Sequence, residues 1–99
     1  MDMDKQTLLE ETERRFMRAC EEIAHLNAMK SDLVSRYYKA MMNNHQSVIP
    51  SLKYRITTVE EIRQLYDYYA SCKAQAVADL RRELYGEAQI SDGLSTLQV

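Results

Sequence analysis

The chain has 99 residues and a mass of 11.6 kDa, with 45% hydrophobic and 28% charged residues, so it makes one small domain and not a solvated tail. Two glycines and one proline are too few turn formers for an all-β sandwich or barrel. A net charge of −2 and a pI near 5.7 lack the strong basic excess of a dedicated nucleic-acid binder.

The first residues, Met1-Asp2-Met3-Asp4-Lys5, are acidic and hold no apolar run. They fit neither a secretory signal nor a mitochondrial presequence, and no stretch is apolar enough to span a bilayer. A cytoplasmic or nuclear location is therefore expected. The two cysteines, Cys20 and Cys72, lie far apart and do not form a disulfide framework.

Residues 5 to about 45 contain no Gly or Pro and are rich in good helix formers. Leu9, Thr12, Phe16, Ala19, Ile23, Leu26, Leu33, Tyr37 and Ala40 recur in alternating steps of three and four. That is a heptad register, and it predicts a first helix of about 40 residues. Lys30 falls on the same line, where a polar residue can set register. Ser31 and Asp32 offer an alternative, a break and a fresh N-cap.

A connector is expected over 46–57. Pro50 biases Ile49 toward extended backbone, and Leu52, Tyr54 and Ile56 alternate with polar residues as in a strand. Thr57 with Glu60, and Thr58 with Glu61, match the capping box. They predict a second helix over about 58–85. Its apolar face reads Ile62, Leu65, Tyr66, Tyr69, Ala76, Val77, Leu80 and Leu84. Arg81 and Arg82 suit its C-terminal end, and Gly86 its stop. Residues 87–99 read as a flexible tail beyond a single domain of 1–86.

The expected fold is therefore all-α, a long helical hairpin. One apolar stripe per helix cannot close a core, so two copies are expected to form a dimeric four-helix bundle. A three-helix bundle of one chain is the alternative if the first helix breaks near Ser31. The expected helix–helix and dimer interface comprises Leu9, Phe16, Ile23, Leu26, Leu33 and Tyr37 against Ile62, Leu65, Tyr69, Ala76 and Leu80.

Sites of chemistry are sparse. Glu22 and His25 have the Glu-x-x-His spacing of helical di-iron proteins, but they flank the seam instead of lying on it. Cys20 and His25 are five residues apart and do not share a helix face. No glycine-rich phosphate loop and no nucleophile motif occurs. No catalytic residue, cofactor or metal is assigned.

Charge is uneven along the chain. Residues 31–58 hold Arg36, Lys39, Lys53 and Arg55 against Asp32 alone, four minus one, a net +3. With Tyr54, and with Tyr68 further on, these residues form the expected partner-binding patch. The reading is a non-enzymatic interaction module: a self-associating adaptor or a small subunit of a larger assembly. The rivals are a nucleic-acid-associated regulator using residues 36–55, and a small helical enzyme with an inter-chain pocket around Lys30.

Overall fold

A computed structural model describes residues 4–98, with side chains over 4–86. The protein is a helical hairpin: α1 (Lys5–Met42), one 3₁₀ turn (Gln46–Val48) and α2 (Ile49–Gln98). Among the described residues there is no strand. α1 runs unbroken through Ser31 and Asp32, which removes the three-helix alternative. No helix among the described residues is long and apolar enough to cross a membrane.

The reversal is tighter than the sequence suggests. The Asn44 amide donates to the Met41 carbonyl, and the His45 amide to that of Ala40, at 3.3 and 2.9 Å. This is the Schellman arrangement, which satisfies two carbonyls left free at a helix end. It needs a left-handed residue, and Asn44 supplies it with φ 60°. Asparagine tolerates that conformation better than most residues.

The connector expected over 46–57 is therefore corrected to residues 43–48, of which Gln46–Val48 form the 3₁₀ turn. Pro50 lies in the first turn of α2, where its missing N–H has no helical acceptor to lose. Leu52 is buried and Ile56 half-buried on one face of α2, while Tyr54 points outward. Their alternation is thus helical and not strand-like. Thr57 and Thr58 sit two turns inside α2 and cap nothing. The Thr58 hydroxyl instead donates to the Tyr54 carbonyl one turn back, at 2.9 Å. Gly86 does interrupt the helix, at φ 78° and ψ 169°. The tail expected over 87–99 lies outside the residues whose side chains are described.

The seam is a heptad on both helices. On α1 the line Thr12, Ala19, Leu26, Leu33 and Ala40 is buried in steps of seven. Phe16, Ile23, Lys30 and Tyr37 follow Leu9 on the neighbouring line and stay half-buried. On α2 the lines are Leu52, Val59, Tyr66, Lys73, Leu80 and Ile49, Ile56, Arg63, Ala70, Val77, Leu84, each buried or half-buried. Two core clusters result. One gathers Leu26, Leu33, Ala40, Leu52 and Val59 toward the tip, and the other Leu9, Val77 and Leu80 at the open end. Ala19 and Ala70 are buried between them and belong to neither cluster.

This pairing corrects the face expected on α2. Leu80 is on the seam and Ala76 beside it, but Ile62, Leu65 and Tyr69 are exposed. Arg63, Ala70 and Lys73 occupy seam positions that a search for bulky apolar residues passes over. No side chain among the described residues is fully buried, and the molecule is 14 Å across its thinnest direction. That is little more than one helix diameter, so the hairpin is a single layer.

Candidate functional site

A two-helix ribbon has two flanks, and each element of the seam decides which residues reach which flank. Arg36, Lys39, Asn43, His45, Ser51 and Arg55 line one groove of about 470 Å³ at the tip. Ala40 and Leu52 form part of its lining from the seam. Val34, Tyr37, Tyr38, Lys53, Ile56 and Thr57 line a trough of about 380 Å³ on the opposite flank. A third hollow, of about 320 Å³, lies toward the open end between Phe16, Met17, Ala74 and Val77, rimmed by Glu13 and Arg81.

The hairpin thus divides the partner patch expected from the sequence. Arg36, Lys39 and Arg55 come together in the tip groove. Lys53 falls on the other flank beside Tyr37 and Tyr38, whose rings meet edge to face at 5.8 Å. Tyr54 and Tyr68 both lie exposed on the outer side of α2, two heptads apart. His45, Asn43 and Ser51 complete the groove; of these only His45 stands out in the sequence, among the aromatic residues interleaved with the cations of 31–58. The signal that could find them is the helix-permitting reading of Pro50, which folds residues 45–51 back onto Arg36 and Lys39.

The most polar part of the seam lies midway. Lys30 of α1 meets Glu60 of α2, Nζ to Oε2 at 2.7 Å. Arg63, one turn on, donates from Nε to Glu60 Oε2 at 3.2 Å and also pairs with Asp67. Two cations therefore stand at seam positions in this stretch, and the Glu60 carboxylate answers both. The Arg63 guanidinium, with the Lys30 ammonium second, holds the Glu60 carboxyl well below the usual carboxylate range, at about 2. The same contact raises Arg63 above its ordinary value. As a register device the network has a clear use. A one-heptad slip would part Lys30 from Glu60 and leave both charges at the seam.

Because Glu60 is depressed in the fold, it stabilises the hairpin above its unfolded value, near 4.3, and that stabilisation is lost as pH falls toward 2. Glu60→Gln is expected to lower the thermal midpoint at neutral pH. The gap between wild type and variant should then close between about pH 4.5 and 2. A gap that stays constant across that window would show that Glu60 is not the group held down.

Chemistry beyond charge pairing is scarce among the described residues. No group of three or more His, Cys, Asp or Glu side chains is gathered as metal ligands would be. Glu22 and His25 are both exposed, off the seam. Cys20 and Cys72 are free and exposed.

What stands out instead is uncovered apolar surface. Ile62, Leu65 and Tyr69 on α2 are 39%, 70% and 40% exposed, and Met29 of α1 is also exposed. In the heptad register Met29 and Ile62 flank the seam on the same side as the tip groove. Leu65 lies further out on that side, and Lys73 lies over the Tyr69 ring at 5.3 Å. No family model, no curated protein and no solved structure matches the chain.

Proposed function

We propose that the chain is a non-enzymatic helical interaction module that pairs with a second copy of itself and serves as an adaptor or a small subunit of a larger assembly. The observation that carries this reading is the row Ile62, Leu65 and Tyr69. It is an apolar stripe at helical spacing that faces away from α1 and stays exposed, most of all at Leu65. A hairpin one layer thick buries each helix on one side only, and a second hairpin laid across the stripe supplies the missing layer. A second copy is the favoured occupant because an identical hairpin carries the identical exposed stripe, the self-complementary condition of a two-fold dimer.

Light scattering behind a sizing column is expected to give about twice 11.6 kDa for the chain. Leu65→Asp should return it to a monomer that keeps its helical circular dichroism. A monomeric wild type, or a Leu65→Asp variant that stays dimeric, would overturn the reading. Ile23→Asp would not serve as this test. Ile23 lies on the seam between its own two helices, so its replacement reports hairpin stability and not association.

A further inference from the structure

Among the described residues, ion pairs cross from one helix to the other at three levels, Lys5 with Glu83, Glu13 with Arg81, and Lys30 with Glu60, and none does so at the tip. At the tip, Arg36 of α1 and Arg55 of α2 enter the same groove, with Lys39 beside them. From Leu33 to Val59 the chain carries no Asp or Glu at all. Asp32, one turn back on α1, reaches Arg36 at 3.0 Å and is the nearest acid in sequence. Like charges gathered on facing helices weaken a coiled coil.

We propose that this groove docks a short carboxylate-rich segment of a partner protein. Guanidinium groups match carboxylates in a two-pronged fashion, and two of them flank the groove. Asn43, His45 and Ser51 line the same groove with polar groups suited to a peptide backbone, and Val48 and Leu52 add apolar contact. The positive region is short. It ends at Asp32 on α1 and at Glu60 and Glu61 on α2. A long polyanion would run onto those carboxylates, whereas a segment of a few acidic residues would not. The site goes beyond the self-association reading and does not depend on it.

The experiment is a titration of fluorescent hexaglutamate into the full chain at low and raised salt. Wild type is expected to bind, more weakly as salt rises. Arg36→Gln with Arg55→Gln should weaken binding by about tenfold or more. Arg18→Gln, near the open end, should leave it within about twofold. The double variant should melt close to the wild-type temperature without peptide, because relieved repulsion offsets the lost Asp32–Arg36 pair, so lost binding cannot be laid to unfolding. Undiminished binding by the double variant, or no binding by wild type, would overturn the proposal. So would a thymidine oligonucleotide that binds more tightly and resists displacement by hexaglutamate, since the groove would then serve nucleic acid. Inorganic phosphate binding as tightly as the peptide would also overturn it, in favour of a single-anion site.

Discussion

Replacing Leu33 by Ala is expected to lower the thermal midpoint by roughly 10 °C or more. Leu33 is 3% exposed and lies at the centre of the tip cluster with Leu26, Ala40, Leu52 and Val59. Removing a buried leucine side chain costs about 2–5 kcal/mol, partly in lost transfer energy and partly in the cavity left behind. A domain of this size holds on the order of 5–10 kcal/mol in all. A single-layer hairpin cannot refill the space from a second shell of side chains, so the upper half of that range applies. In a domain below 100 residues each kcal/mol moves the midpoint by roughly 4–8 °C. The matched control is Met42→Ala, fully off the seam at 85% exposure, which should change stability by less than about 0.5 kcal/mol. A Leu33→Ala midpoint within about 3 °C of wild type would mean that the seam does not run through this residue.

The second large effect belongs to a residue that touches no core. Tyr54→Pro is expected to cost about 3 kcal/mol or more, although Tyr54 is 73% exposed. In α2 residue 54 lies one turn past Pro50, and its amide bonds back along the helix. Proline there removes that bond and drives its ring into the preceding turn. Tyr54→Ala should change little, because only the side chain is lost. Were residues 46–57 a connector, both variants would be tolerated alike. Melting curves and helical circular dichroism of the two variants therefore test where α2 begins, apart from any core contact.

α1 was legible because its heptad is dense. Leu9, Phe16, Ile23, Leu26, Leu33 and Tyr37 leave Lys30 as the one charged exception, and Lys30 proved to be a seam residue with a partner on α2. α2 was legible as a helix but not in its facing. The bulkiest residues, Ile62, Leu65 and Tyr69, fit a helical period of their own and drew the stripe toward them. The residues that pack include Ala70, Arg63 and Lys73, which no hydrophobicity count selects. Which of two possible faces meets α1 is decided by the length of the turn. That length hung on reading Pro50 as an opening residue instead of a break. The tip patch followed the same logic. Its cations were visible in the sequence, but their division between two flanks needed the start of α2. The polar layer at Glu60 shows the converse case, a residue read as a cap that turned out to bridge two helices.

The short reversal also sets an order of assembly. A turn closed over residues 43–48 brings Ala40 and Leu52 together across a short loop, at little entropic cost. Every later pair is added beside one already formed, ending with Leu9 and Leu80 at the far end. No contact along the hairpin has to wait for a long chain segment to close by diffusion, which is the topology associated with fast folding. The process can also run backwards from the open end. Ala19 and Ala70, small and outside both clusters, mark the place where the outer third can part while the tip stays zipped. A partner bound at the tip would therefore be held by the portion of the hairpin that forms first and opens last.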